Sequence, residues 1–393
     1  MTSAGPWVKR SAPTARHPGD SAEVLNMPAT PKPAATSSAR LLRWGGVAAA
    51  TLAAAAGAVC RTGAKRPRLL AGPAQAPADP RRLLLSGEEW LNSRPLAEAA
   101  LRGKVILVNF WTYSCINSLR RLPYVRAWAK KYADRGLVVI GVHTPGFNFE
   151  KEVANVRRAL EEYGVGYPIL LDNDHRIWNA FGDQAFYFIG ADGRVHRQIF
   201  GEGRYEESEK LIQALLSQTS GAPLADPITP IDGVGPQAAP DWRNIGSDET
   251  YVGYAKAEGF APQGVLKRNA ATLYRTPTQL GLNQWSLTGK WNVGGEYASL
   301  ADHSGAITYR FHARDLNLVM ALPPGERWMW FSVKIDGAPP GGDHGSDTDS
   351  DGWGRLDQPR LYHLVRQSRT IANRTFEIAF FGAGVRAYVF TFG

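Results

Sequence analysis

The fold class predicted by this sequence is an α/β domain with a mixed sheet and helices on both faces, followed by an all-β sandwich or jelly roll. Three observations predict it. Between residues 83 and 219, apolar runs of strand length alternate with helical stripes, the pattern of a layered α/β domain. Ser217 to Pro240 then carries Pro223, Pro227, Pro230, Pro236 and Pro240 among small residues, which reads as an interdomain linker. Beyond it no segment has a helical stripe, and β-rich runs recur between Gly, Pro and Asp. The 393 residues, 44% hydrophobic and 21% charged, are enough for two globular domains.

The formal charge of +9 is concentrated at the start of the chain: Met1 to Pro80 holds ten Lys/Arg against three Asp/Glu. The rest is nearly balanced, so the basic pI argues for no nucleic-acid partner. Residues 1–43, rich in Ala, Pro, Ser and Thr without periodicity, read as a disordered basic region. Trp44 to Cys60 is an Ala-rich apolar run of 17 residues between Arg43 and Arg61, short for a span and suited to a signal-peptide core. Ala56-Gly57-Ala58 has the form of a cleavage site. Export follows, by a cleaved signal or an N-terminal anchor at 44–60, with 61–82 as a basic tether; the membrane is met only through this segment. The long leading region, and Arg61, Lys65, Arg66 and Arg68 after the run, oppose that topology. An Ala-rich helix without a targeting role is the alternative. Val59 before Cys60 argues against a lipid-modified Cys60.

In the α/β region, Val105 to Phe110 reads as a buried strand and Ser118 to Tyr132 as a helix, with a kink expected at Pro123. Leu137 to Val142 is a second strand, continuous and apolar as a parallel sheet covered on both faces requires. A helix over Phe149 to Tyr163, strands at Tyr167 to Leu171 and Ala185 to Ile189, a turn at Ala191-Asp192-Gly193, a strand over Val195 to Phe200 and a closing helix over Tyr205 to Leu216 complete the domain. Cys115 sits where the first strand gives way to the helix. There the orphan N–H groups and the positive end of the helix dipole favour a thiolate. Ser114, Asn117 and Ser118 stand where they could donate hydrogen bonds to the sulfur, and all three are also ordinary at a helix start. With Cys60 and Cys115 as the only cysteines, no disulfide scaffold is available.

In residues 246–393, strands are expected at Ala306 to Ala313, Leu316 to Leu322, Trp328 to Ile335, Thr375 to Phe381 and Arg386 to Phe392. Asp347, Asp349, Asp351 and Gly352, with Asp357 ten residues after Asp347, have the spacing of a calcium loop without an EF-hand's flanking helices, and Gln358 takes the twelfth position. Ca2+ is the one cofactor candidate, against a solvated acidic loop. His303, His312, His344 and His363 are too scattered for a metal site. Trp285, Trp291, Trp328, Trp330 and Trp353 include candidates for sugar stacking or for core, with Trp353 in a polar loop the one expected to be exposed.

Several spaced positions carry a family resemblance. Val108-Asn109-Phe110-Trp111, Leu122-Pro123, Val139 to Pro145 (VIGVHTP), Tyr167-Pro168, Leu171-Asp172-Asn173-Asp174 and Gly201-Glu202-Gly203 resemble the thioredoxin-like domain of TlpA and, more closely, of DipZ-type proteins. The resemblance covers about residues 83–219 and implies a thioredoxin fold. Tyr309 to Leu316, Asp336-Gly337, Asp343-His344-Gly345, Arg360-Leu361-Tyr362 and Thr375 to Ile378 resemble the DipZ-type C-terminal domain, which is similar to carbohydrate-binding modules. The membrane-embedded electron-transfer domain of DipZ is absent from this sequence, which implies a separate electron donor. Two departures bear on activity. Ser118 stands where the family has the second cysteine of Cys-x-x-Cys, and a hydroxyl cannot resolve a mixed disulfide. The cis-proline that the fold places before the strand at Phe186 is also missing: no proline lies between Pro168 and Pro223, and Gly182 to Phe186 looks shortened.

The expected function is that of an extracytoplasmic thioredoxin-like thiol oxidoreductase. Cys115 would form a mixed disulfide with a protein substrate, to be resolved by an external thiol or redox protein, and the C-terminal domain would be a binding module. Thr112 and Ser118 are the accompanying site residues. Thr112-x-x-Cys115 is similar to the peroxiredoxin motif without its leading proline, so a one-Cys thiol peroxidase is an alternative. A non-catalytic adaptor for protein or glycan partners is another.

Overall fold

The computed structural model describes residues 77–182, 186–262 and 264–393. The expected signal or anchor at 44–60, most of the tether and Cys60 lie outside the described residues, as does the shortened loop at 183–185. Among the described residues no helix is long and apolar enough to cross a membrane.

The first domain has the order α1 (Pro80–Leu85), β1 (Trp90–Leu91), α2 (Glu98–Leu101), β2 (Val105–Trp111), α3 (Ile116–Lys131), β3 (Leu137–His143), α4 (Val153–Glu162), β4 (Ile169–Leu171), α5 (Arg176–Phe181), β5 (Phe186–Ile189), β6 (Val195–Ile199) and α6 (Tyr205–Ser220). The six strands run β1-β4-β3-β2-β5-β6. Central β2 pairs parallel with β3, from Val105↔Leu137 to Trp111↔His143, and antiparallel with β5. All seven residues of β2 are buried because helices cover both faces, which is why the strand reads as an unbroken apolar run. One face packs Leu107, Trp111, Leu119, Leu122 and Trp128; the other packs Ile106, Val108, Phe110, Ile177 and Phe181. This is the expected thioredoxin fold.

One local expectation changes. The helix predicted from Phe149 is a 3-10 turn over Asn148–Lys151 followed by α4, because the turn closes around the carboxylate of Glu150. Pro123 sits inside the continuous α3 and has no N–H for the carbonyl of Leu119. Gln237 Nε2 donates to that carbonyl instead, at 3.4 Å.

The second domain comprises β7 (Thr250–Tyr251), β8 (Thr272–Tyr274), β9 (Trp285–Val293), β10 (Ala298–Phe311), β11 (Asp315–Ala321), β12 (Met329–Ile335), β13 (Trp353–Leu356), β14 (Arg360–Arg366), β15 (Arg374–Phe380) and β16 (Arg386–Phe392). These ten form one antiparallel sheet with the path β13-β12-β15-β10-β16-β11-β14, joined by β7 on β16 and by β8 and β9 on β10. The 14-residue β10 pairs with β16 at Ala298–Ser299 and, after an irregularity, with β15 from Gly305 to Phe311, so it passes from one half of the sheet to the other. The halves close on each other. Phe331 of β12 meets Tyr362 of β14 at 6.1 Å although the two strands lie near opposite ends of the path, and Phe376 of β15 meets Phe390 of β16 at 6.0 Å. Trp285 and Trp291 are fully buried in this core, which settles their role as packing.

The Pro-rich stretch expected to act as a spacer is fastened to both domains. Thr229 bonds Glu209, Lys131 Nζ reaches the Pro227 carbonyl, Arg366 Nη2 donates to Gly235 O at 3.1 Å and Arg314 Nη2 to Ala239 O at 2.7 Å. Val319, Ala321, Leu361, Tyr388 and Val389 of the second domain belong to the same buried apolar cluster as Leu119 and Trp128 of the first. The two domains therefore share a core.

Candidate functional site around Cys115

Cys115 occupies the N-cap of α3, half-buried, with its side chain making no cap hydrogen bond and its carbonyl accepting from Leu119 N at 3.0 Å. Its sulfur is disulfide-bonded in this structure. The only other cysteine in the chain, Cys60, lies outside the described residues.

The structure brings the three expected site residues together. Ser118 Oγ, one turn into α3, accepts from Thr112 N at 3.3 Å and from Arg121 Nη2 at 3.1 Å. The Ser118 hydroxyl is thus a brace between the helix and the loop before Cys115. The hydroxyl of Thr112 donates to the Glu150 carboxylate, so its proton is already engaged there.

Glu150 is the principal site residue that the sequence reading missed. It is fully buried beneath the loop that carries Cys115. Its Oε1 accepts from Thr112 Oγ1, from Ser114 N at 3.1 Å and from Ser114 Oγ at 2.7 Å; its Oε2 accepts from Gly146 N at 2.6 Å and Phe147 N at 3.1 Å. Burial pushes its pKa up and these donors pull it back, with a net upward shift. No periodic pattern marks Glu150, because it lies in an irregular turn and acts on residues 36 and 38 positions earlier.

Arg121 is buried beside Ser118. It donates to Asn117 O at 3.2 Å, Phe110 O at 2.9 Å and Ser118 Oγ, with its guanidinium 5.2 Å from the Phe186 ring centroid. Among the described residues no carboxylate lies within ion-pair distance of it, and burial lowers its pKa. Its neighbour Arg120 is paired with Glu202 at 3.3 Å and donates to Phe392 O of the second domain at 3.3 Å. His143, at the end of β3, is fully buried between Trp111 and Tyr113, with no hydrogen-bond partner on either ring nitrogen. Burial lowers its pKa to about 3, so the imidazole is neutral at physiological pH.

The expected calcium residues do not converge. Among the described residues no group of three or more His, Cys, Asp or Glu is placed to hold a metal ion. Asp347 accepts from Arg360 Nη2 at 2.7 Å and His363 N at 2.8 Å; Asp349 caps its own turn through Asp351 N and Trp353 N; Asp357 pairs with Arg355 at 3.0 Å. The Asp-x-Asp-x-Asp-Gly spacing is here used for turn capping and ion pairing.

The sequence matches the AhpC/TSA family over residues 89–198 and the thioredoxin-like C-terminal domain family over residues 247–393. It is 36% identical over 239 residues to Protein DipZ of Mycobacterium tuberculosis, an alignment covering 59% of this chain and 33% of that protein. The chain thus spans about a third of the length of its DipZ relatives. It is 30% identical over 140 residues to the thiol-disulfide oxidoreductase YkuV of Bacillus subtilis, covering 34% of this chain and 93% of YkuV. The solution structure of a thioredoxin-like protein in its oxidized form superposes with a TM-score of 0.33 at 26% identity, over 36% of this chain and 96% of that one. With the thioredoxin fold, the cysteine at the start of α3 and these relatives together, the chain belongs to the TlpA/DipZ-like thioredoxin-like family.

Proposed function

We propose that this protein is an extracytoplasmic thiol–disulfide oxidoreductase whose attacking sulfur is Cys115. The observation that carries the reading is the placement of Cys115 at the N-terminus of α3, with the buried guanidinium of Arg121, which has no carboxylate within ion-pair distance among the described residues, near the same helix start. Both favour the thiolate over the thiol. The thiolate attacks a partner disulfide, one sulfur of the partner joins Cys115 and the other leaves as a thiolate. A second thiolate then attacks the mixed disulfide. Ser118 cannot supply it, so the resolving thiol comes from outside the 115–118 turn, and the cycle begins once an external dithiol has reduced the disulfide at Cys115 and been oxidised in its place. The apolar run at 44–60 supports the extracytoplasmic assignment.

Mass spectrometry of the reduced protein after exposure to glutathione disulfide tests this. A mixed disulfide on the Cys115 peptide, formed faster than at a free cysteine of ordinary pKa, is the expected result. An unmodified Cys115 would favour the adaptor reading. One-Cys peroxide reduction is the competing enzyme reading, supported by the AhpC/TSA match and opposed by the Thr112 hydroxyl bound to Glu150. A sulfenate formed at Cys115 with peroxide, but no mixed disulfide, would favour it.

A separate observation supports a binding role for the second domain. Trp328, Trp330, Trp353 and Phe381 are 52%, 49%, 45% and 51% exposed, with Trp328 on Trp330 at 5.8 Å and Trp353 against Phe381 at 5.5 Å. Exposed aromatics gathered on one sheet edge are costly unless covered by a partner, and flat rings suit the apolar face of a sugar. The proposed partner is a glycan. Retention on insoluble polysaccharide that is lost in Trp330→Ala and Trp353→Ala tests it; equal retention of parent and variants would reject it.

A further inference from the structure

We propose that the C-terminal β domain sets the geometry of the thiol site through Tyr388, a positioning residue for Cys115. The proposal rests on the thiol reading above. The β11–β16 register runs Val319↔Val389 and then Met320↔Ala387, so Tyr388 is the extra residue of a β-bulge. Bulges re-aim side chains, and the effect here is visible in the packing. Ala387, Phe390 and Phe392 of the same strand face the core of their own domain, whereas the consecutive Tyr388 and Val389 both join the core of the thioredoxin-like domain, as the extra residue of a bulge requires.

There the Tyr388 ring meets Phe147 edge-on at 4.9 Å and Phe149 at 5.0 Å. These two residues bracket the start of the turn that holds Glu150. The N–H of Phe147 donates to Glu150 Oε2, and the carbonyl of Phe149 accepts from Tyr113 OH at 3.4 Å. The residue between them is held from the same domain: Asn148 N and Nδ2 donate to Glu296 at 3.0 and 3.3 Å. Glu150 in turn holds Thr112 and Ser114, and Ser114 precedes Cys115. Tyr388 is thus three contacts from the sulfur-bearing residue, through an aromatic pair, a buried carboxylate and a loop amide. Each link is a packed or hydrogen-bonded contact, so displacing the ring lets the 147–150 turn relax and releases the loop that presents Cys115.

The test uses the full chain, reduced, with two readouts: amide exchange in peptides covering 112–118 and 146–150, and the second-order rate of Cys115 with glutathione disulfide. Tyr388→Leu is expected to speed exchange in both peptides about tenfold or more and to change the thiol rate by about tenfold, the scale expected of a small misplacement. Tyr388→Phe keeps the ring and should restore both. Phe376→Leu, confined to the core of the second domain, should move neither. Phe147→Leu removes the same ring contact from the other side and serves if Tyr388→Leu does not fold. Unchanged exchange over 112–118 in Tyr388→Leu, or an equal change in Phe376→Leu, overturns the proposal. An unreactive Cys115 in the parent overturns the thiol reading instead, and the exchange data still decide the role of Tyr388.

Discussion

Glu150→Gln is the sharpest perturbation of the site. The carboxylate satisfies five donors, three on Oε1 and two on Oε2. Glutamine keeps one oxygen. If that oxygen faces Thr112 and Ser114, the N–H groups of Gly146 and Phe147 are left facing an amide NH2; the opposite rotamer abandons three donors. The better choice leaves two half-buried amides without their acceptor, at about 1–2 kcal/mol each, the lower part of the range for a buried group. Part of this is offset because a neutral amide escapes the burial penalty that raises the Glu150 pKa. The expected loss is therefore towards the lower end of about 2–4 kcal/mol, together with a changed rate of Cys115 modification. Urea unfolding followed by tryptophan fluorescence and Cys115 trapping read the two effects. A variant within about 0.5 kcal/mol of the parent, with unchanged thiol kinetics, would refute the assignment of Glu150 as the organiser of the loop.

Two further outcomes follow from other contacts. Burial pushes the Glu209 carboxyl up, but hydrogen bonds from Lys131, Thr229 and Tyr132 outweigh it and bring the pKa to about 2, below its ordinary 4.5. A depressed pKa stabilises the fold fully above about 4.5, and the contribution is lost as pH falls towards 2. The melting temperature should fall through that window, and Glu209→Gln should flatten its slope; an equally steep slope in the variant would remove Glu209 from the account. Gln237→Ala should cost under about 1 kcal/mol by orphaning the Leu119 carbonyl. In a Pro123→Ala background the helix supplies its own donor, so the same substitution should cost close to nothing, as a double-mutant cycle in urea will show.

The parts of the fold that were legible in the sequence are those set by local periodicity. Val105 to Phe110 and Leu137 to Val142 read as buried strands because helices cover both faces of the sheet, and Cys115 falls at the helix start because strand and helix patterns meet there. The site's supporting residues were not legible, for a physical reason. Glu150, Arg121 and Tyr388 act through contacts between segments far apart in sequence, and nothing in the residues around them distinguishes a buried organising carboxylate from a solvated one. The Asp347–Asp357 pattern has a spacing that suits a cation, and in the fold Arg360, Arg355 and backbone amides meet much of its charge and hydrogen-bonding need, which spacing alone does not reveal. The Pro-rich stretch read as a spacer because its composition excludes helix and strand. Composition could not reveal that Thr229 and the Gly235 and Ala239 carbonyls would be anchored by Glu209, Arg366 and Arg314.

Ser118 leaves the 115–118 turn with one sulfur. In a two-thiol turn, the position of Ser118 must stay reactive and mobile enough to attack a neighbouring sulfur. Here its oxygen is fixed by Thr112 N and Arg121, and Arg121 carries a buried positive charge with no ion-pair partner among the described residues. Such a charge is costly unless a nearby anion offsets it. Glu150 is a poor candidate for that anion, because its five donors already compensate it and burial favours its neutral form. Glu202, whose charge acts on Arg121, supplies part of that compensation, and once the disulfide at Cys115 is reduced a thiolate there would act in the same direction as the helix dipole. On the proposed thiol reading, reduction of the disulfide at Cys115 would leave one sulfur in the 115–118 turn, its thiolate favoured by the helix dipole, and the resolving thiol would come from outside that turn.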